Sequence, residues 1–422
     1  METRTTLDGI LKDVYTNVIR DQVATYSPIQ EYFEKLTDFD WDGRVVREGA
    51  IVGYNEGVGS VGEDGNLPTA GNFNPQQFQI PMKYTYASFQ MTKAMMESAK
   101  SSKGGFRSAT RTSFDTLIRN LKRERARMLW GNGSGILARV NGTHSPAQTT
   151  IVVDDAQGVP SAVGGARFLR EGMIVGFFNS STGAHEATRA ITSVAANGLS
   201  FVVASATLTD NAEIRRMSTA SGTNANESGN QEPMGLLGLI DDGTYLETLH
   251  GLSRTTFPIL KSRVQAATGA LSLDNIQLNF DIVDQQGDAN IDCMACHQSV
   301  RRAYLSLLEA DRRYTSEALS SPDGGTKVTN RKKYVTYGGV NIIEDKFAPY
   351  DTLFGLDKST FQKYVQVEGE WANDDGAILS RVTGKDTWEA FYRIFENCHS
   401  NRPNSNFRMD GITTTKVYVA SH

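Results

Sequence analysis

The stretch from Tyr86 to Gly135 most narrows what this chain can fold into. After Gly104-Gly105, the residues Phe114, Leu117, Ile118, Leu121, Met128 and Leu129 recur at helical spacing, and Gly131 ends the pattern. Phe106 to Trp130 is 25 residues, roughly 37 Å of helix at 1.5 Å per residue. That is long for a globular helix, and its apolar stripe is narrow. The rest of its surface is basic: Lys100, Lys103, Arg107, Arg111, Arg119, Lys122, Arg123, Arg125 and Arg127 face only Asp115 and Glu124. Such a face can be solvated, can meet acidic segments of another subunit, or can meet nucleic-acid phosphates, in which case binding is salt-sensitive and indifferent to sequence. The helix leaves through Trp130-Gly-Asn-Gly-Ser-Gly135.

At 422 residues the chain exceeds one compact core, and two or three domains are expected. Charged residues make up 22% and the formal net charge is −5, so the whole molecule is not built as a nucleic-acid grip. No run of 18 apolar residues occurs, so no membrane-spanning helix and no membrane partner are expected. Met1 to Asp8 has no apolar signal core, and three cysteines do not make a disulfide framework; both fit use in a reducing compartment without secretion.

Taken in order, residues 5–36 read as helical, with a stripe of Leu7, Ile10, Leu11, Val14, Val18 and Ile19, a break at Pro28 and a second piece from Ile29 to Leu36. Residues 37–84 change texture. Two strand-like runs, Arg44–Tyr54 and Phe73–Tyr86, flank the glycine-rich centre Glu56 to Asn66. A lone hairpin of that kind is marginal in water and needs another surface, which another copy of the chain would supply. Its interface candidates are Arg44, Arg47, Tyr54, Phe73 and Phe78. Residues 148–218 form a β-rich block of about 70 residues with runs at Thr149–Val153, Met173–Phe178, Thr188–Val194, Leu199–Ala204 and Glu213–Met217, followed by a Ser/Gly/Asn/Thr linker, Ser218–Glu232. Asn197-Gly198 marks a hairpin turn within it.

Residues 233–360 return to mixed texture. Helices are expected over Phe257–Thr268, after the Ser272 cap up to Gly287, and from Ser299; strands are expected at Ile291–Ala295, Gly338–Ile343 and Leu353–Asp357. Within 361–422, Thr387–Glu396 is a strand candidate whose aromatics alternate imperfectly, a pattern a helix also allows.

The sharpest chemical signal is Cys293-Met-Ala-Cys296-His297, the spacing of c-type haem attachment and of half a zinc site. Haem attachment requires export, and the remaining cysteine, Cys398 beside His399, lies about a hundred residues away without a paired spacing. The residues read better as a buried strand and its junction with a helix. The Gly-Asn-Gly-Ser-Gly turn lacks the lysine of a phosphate loop and follows a helix instead of opening one. No His-Glu-x-x-His or Gly-x-Ser-x-Gly motif occurs, and no enzyme, metal or cofactor is expected.

The long basic helix with its lead-in and its Gly-Asn-Gly-Ser-Gly exit resembles the spine-helix region of tailed-phage major capsid proteins of the Hong Kong 97 type, although Asn132 and Ser134 stand where that family more usually has Asp and Thr. The resemblance implies an α+β chain. It divides into an N-terminal arm (1–36), an E-loop hairpin (37–84), a P-domain with the spine helix (85–147), an inserted β-domain and linker (148–232), an A-domain (233–360) and a P-domain return (361–422). It further implies hexamers and pentamers closing an icosahedral shell around sequence-independent double-stranded DNA, with a portal, a separate scaffolding protein, a decoration protein as an option, and assembly in the host cytoplasm. The basic-face candidates are then Arg107, Arg111, Arg119, Lys122, Arg123 and Arg127. With no lysine between Lys35 and Lys83, a covalent cross-link through the E-loop is not expected. An encapsulin-like compartment is the alternative on the same fold.

Overall fold

A computed structural model describes residues 27–39, 43–93, 117–160, 164–217, 229–311, 335–373 and 379–415. The expected N-terminal helix before Ser27, the helix residues Arg107 and Arg111, and the linker residues 218–228 lie outside them. Where a second helical piece was expected, Pro28–Tyr32 is one 3-10 turn and the chain then runs as strand β1 (Glu34–Leu36). That strand joins a sheet edge by pairing in parallel with Gln362–Tyr364, an interaction no local pattern signals.

Strands β2 (Val45–Gly53) and β3 (Asn74–Pro81) form an isolated antiparallel ribbon. The single run expected from Phe73 to Tyr86 is divided at Pro81-Met82: its second half is β4 (Lys83–Thr92), which leaves the ribbon and enters a different sheet. Helix α1 follows, described over residues 117–128.

The inserted block is a closed six-stranded barrel of β5 (Ile136–Val140), β6 (His144–Asp154), β7 (Ile174–Phe178), β8 (His185–Val194), β9 (Ser200–Leu208) and β10 (Glu213–Arg216), in the order β10-β5-β6-β9-β8-β7. Asn197-Gly198 makes the expected turn between β8 and β9, with Gly198 at φ +67°. The barrel opens earlier than the sequence suggested. Ile136–Val140 directly follows the glycine turn and is buried at every position but one, so it carries no alternation that would mark it as a strand. One continuous apolar core links the barrel (Val153, Phe177, Phe201) to Trp130 and to Leu236, Leu237 and Phe354 beyond it.

Helix α2 (Leu236–Leu239) leads to the hairpin β11 (Thr248–Leu249) and β12 (Leu252–Ser253). The helix expected over Phe257–Thr268 is absent. Pro258–Leu260 is a 3-10 turn, and Arg263–Gln265 is strand β13, drawn into a parallel edge pairing. Helix α3 (Leu273–Gly287) starts at the expected cap, where Ser272 Oγ accepts from Asn275 N at 3.1 Å. Next come β14 (Cys293–Cys296), α4 (Gln298–Asp311), β15 (Val335–Tyr337), β16 (Val340–Glu344) and β17 (Leu353–Leu356). The chain closes with β18 (Phe361–Trp371), β19 (Ser380–Arg381), β20 (Thr387–Ser400) and β21 (Phe407–Met409).

Two sheets organise these parts. One is a six-stranded mixed sheet, β13-β21-β17-β14-β16-β15. In the other, β18 and β20 pair along most of their length, with β1, β4 and β19 around them. Thr387–Ser400 is thus a strand, and its even-numbered residues Ala390, Tyr392 and Ile394 pack under Ile118 and Leu121 of α1. No helix among the described residues is long and apolar enough to cross a membrane.

The C-terminal end of α1 is the point where these parts meet. Leu236 N donates to Leu129 O at 2.7 Å, so the start of α2 takes up a carbonyl that the end of α1 leaves unpaired. Asn132 Oδ1 accepts from Ser134 N and Oγ at 3.2 and 2.6 Å, and Gly133 and Gly135 take φ of +79° and +78°; this is why the exit reads Gly-Asn-Gly-Ser-Gly. The approach leaves no room at Gly235, where a Cβ would lie 2.4 Å from Met128 O and 2.6 Å from Gly131 O. Gly235→Ala is expected to force the two helix ends apart, at about 1–3 kcal/mol, seen as a lowered thermal midpoint; an unchanged midpoint would show that this junction yields freely.

Candidate assembly surfaces

The β2–β3 ribbon presents more apolar surface to solvent than any folded part of one chain needs. Ile51, Tyr54, Val58, Leu67 and Phe73 are 59%, 72%, 89%, 83% and 60% exposed. Of the interface candidates, Tyr54 and Phe73 are thus exposed, and so are Arg44 and Arg47 near the root. Phe78 does not. It is 1% exposed and buried against His399 at the ribbon's base, because strand alternation turns it inward there. From Glu48 to Met82 the ribbon carries acidic residues only, Glu48, Glu56, Glu63 and Asp64.

The basic helix divides in two. Arg119 is exposed and Lys122 and Arg123 are half-buried. Arg127 leaves that face altogether. It is 3% exposed, its Nε donates to Glu124 Oε2 at 3.0 Å and its Nη2 donates to Glu232. Arg125 likewise turns inward, donating through Nε to Glu396 Oε1 at 2.7 Å and through Nη2 to the other oxygen, while Lys363 lies 2.8 Å from Glu396. Burial alone would raise the Glu396 carboxyl; Arg125 and Lys363 overcome it and hold it at about 2. Helical charge counting missed this because 125 and 127 turn toward a strand nearly three hundred residues away and the linker respectively.

Glu124 gathers further partners. Arg170 Nη2 donates to it at 2.7 Å and Arg216 Nη2 lies 3.5 Å away, both on the barrel. Burial pushes this carboxyl up, and Arg127, Arg216 and Arg170 together more than reverse it. From the same connection between β6 and β7, the buried Arg167 donates to Ala348 O at 3.0 Å and to Lys346 O, and its guanidinium lies over Tyr350 at 4.4 Å. The barrel is therefore fixed to both neighbouring bodies.

The Cys-x-x-Cys-His segment lies on the central strand β14 with Cys293 and Cys296 fully buried. Burial pushes both thiols up to about 12, away from the thiolate that metal binding or redox exchange uses. His297 Nδ1 lies 3.0 Å from Ser299 Oγ and its ring packs on Tyr350. Cys398 and His399 sit on β20 in the other sheet. Among the described residues, no group of three or more His, Cys, Asp or Glu is placed to hold a metal.

No model of a known protein family matches the sequence, and no curated protein does. Solved structures do. The cyanophage A-1(L) capsid asymmetric unit aligns with a TM-score of 0.50 at 12% identity, over 92% of this chain and 93% of that one. The capsid of Myoviridae phage XM1 aligns at 0.42 and 8%, over 91% of each chain. The holo-SrpI encapsulin complex of Synechococcus elongatus PCC 7942 aligns at 0.45 and 9%, over 94% of this chain and 92% of that one. The chain thus shares the α+β fold of the cyanophage capsid subunit.

Two outcomes test the buried charges. Glu124→Ala leaves three guanidiniums around an empty site and is expected to cost about 3–5 kcal/mol, read by denaturant unfolding. Glu396 has a depressed carboxyl, so its contribution is present above the ordinary value of 4.5 and is lost as pH falls toward about 2. Stability measured across that window should fall in the wild type and fall less in Glu396→Gln.

Proposed function

We propose that this chain is the major capsid protein of a tailed phage, assembling as hexamers and pentamers into the icosahedral shell that encloses a double-stranded DNA genome. The observation that carries this reading is the likeness to a capsid subunit over nearly the full length of both chains. The exposed apolar ribbon supports it independently, because its outer length pairs with no other strand among the described residues and would be covered by a neighbour.

In this reading β2–β3 is the E-loop, α1 the spine, the β18–β20 sheet the P-domain, the six-stranded sheet the A-domain and the barrel an insertion. Assembly follows from symmetry: each ribbon meets the same surface on the next copy, and the rotation closes a ring and then a shell. Charge supports the partner of the ribbon. Its turn carries Glu56, Glu63 and Asp64, while Arg119, Lys122 and Arg123, with Arg107 and Arg111 earlier in the sequence, offer the opposite sign. The same basic residues are the candidates for contact with packaged DNA. A portal, a separate scaffolding protein and a decoration protein are the further partners of this reading, with assembly in the host cytoplasm and the virion as destination.

Negative-stain electron microscopy of the expressed chain, alone and with a co-expressed scaffolding candidate, is expected to show polyhedral shells, tubes or hexamer sheets. A small uniform oligomer under every condition would refute the proposal. Shells purified from infected cells that hold protein cargo instead of DNA would assign the encapsulin-like alternative. A Tyr54→Ser, Phe73→Ser double variant removes exposed apolar surface and touches no core. It is expected to keep its unfolding midpoint within a degree or two and lose most of its particle yield; equal loss of both would mark these side chains as structural.

A further inference from the structure

The root of the β2–β3 ribbon rests on the sheet through an unusual joint. His399 on β20 is completely buried, with the Phe78 ring 4.5 Å and the His250 ring 5.1 Å from its own. Neither ring nitrogen of His399 has a hydrogen-bond partner. The Glu48 carboxylate of β2 approaches its Nε2 to 3.3 Å, an ion-pair distance without hydrogen-bond alignment. His250, in the turn between β11 and β12, is also buried; its Nε2 lies 3.1 Å from Cys398 O, and its own carbonyl accepts from Gln79 N of β3 at 2.7 Å. Tyr364 OH on β18 lies 2.9 Å from Glu48 Oε2 and 3.0 Å from Gln362 Oε1. Both ribbon strands are thus tied to one pair of imidazoles, β2 through Glu48 and β3 through Phe78 and Gln79.

We propose that this joint is an acid-sensitive latch: the ribbon stays seated on the sheet while His399 and His250 are both neutral, and protonation at either releases its root. The geometry leaves an imidazolium at His399 no aligned acceptor, and a second cation at His250 would lie against the first. The groups facing the pair are Glu48 from β2, Tyr364 and Gln362 from β18, and the Cys398 carbonyl from β20, with Lys83 of β4 and Arg254 adding positive potential at His250. Glu396 and Lys363 belong to the alternate positions of β20 and β18 and pair with each other on the opposite face.

Burial, with His250 beside it, holds His399 well below its ordinary value, and burial holds His250 at about 4. A depressed histidine contributes stability above the unfolded value and loses it as pH falls, so acid opens the joint. A histidine that titrates near 6.5 only when the joint is open favours the open form about 30-fold at pH 5. Glu48, pushed up by burial with Tyr364 partly opposing, acts in the other direction and moderates the effect.

The joint lies within one chain, so its test needs no shell and stands apart from the capsid reading. Hydrogen exchange of the purified full chain, corrected for intrinsic rates, is compared at pH 7.5 and pH 5.0. Protection over 45–53 and 74–81 is expected to fall at least tenfold at pH 5.0, with 117–128 unchanged. The double variant His399→Gln, His250→Asn should show no such fall. Equal ribbon protection at both pH values in the wild type overturns the latch, as does an equal fall in the double variant or a fall spread over the whole chain. Should the double variant fail to fold, Glu48→Gln decides: losing the one nearby carboxylate should move the opening to higher pH, and an unmoved profile overturns the proposal.

Discussion

The structure depends on what happens where α1 stops. At Met128 to Gly131 a helix end would leave carbonyls unpaired inside the protein, which is costly unless donors are supplied. The chain supplies one from the start of α2, which can come close enough only because residue 235 has no side chain. Around the same point Arg127 ties Glu124 to Glu232, and Gln157 Nε2 donates to Arg127 O at 2.9 Å. Helix, barrel, linker and α2 are thereby joined through a few buried polar contacts within one apolar core. A second buried knot stands nearby: Arg408 Nη2 donates to Asp241 Oδ1 at 2.9 Å and its Nη1 to Ile240 O at 2.6 Å, which binds β21 of the six-stranded sheet to the end of α2.

These knots hold the barrel in one orientation relative to the elements on either side of it in the chain. A barrel on a flexible tether would sample many orientations, and copies differing in orientation would not repeat symmetrically. Here Arg170 and Arg216 tie it to Glu124 of α1, and Arg167 ties it to the chain at Lys346 and Ala348. The ribbon is the contrasting part. Its root is seated by packed rings and a few polar contacts, whereas its outer length has no intrachain sheet to rest on. A rigid body and an unsatisfied arm are what the proposed shell subunit requires.

Much of this was legible in the chain. The ribbon's two runs, the Ser272 cap, the Asn197-Gly198 turn and the buried character of Cys293 and Cys296 follow from alternation, capping and turn chemistry, which act within a few residues. Missed were the strand Ile136–Val140, the division at Pro81-Met82, the strand Arg263–Gln265 and the inward turn of Arg125, Arg127 and Phe78. Each of these is settled by a partner far along the chain: Phe407–Met409 for Arg263–Gln265, Glu396 for Arg125, His399 for Phe78. No window of local sequence contains both members of such a pair.

The sequence by itself therefore determined the local geometry: where helices stop, which strands alternate, where left-handed turns fall, and that a glycine-rich arm would lack a core of its own. Backbone sterics and the period of side chains decide these matters without reference to distant residues. Only the tertiary structure decided which charges are surface and which are mortar, because that depends on desolvation, and desolvation depends on what packs above a residue. Arg119 and Arg127 lie on the same basic helix; one meets solvent and the other is enclosed by Glu124 of its own helix and by Glu232, which only the tertiary fold brings to the helix end.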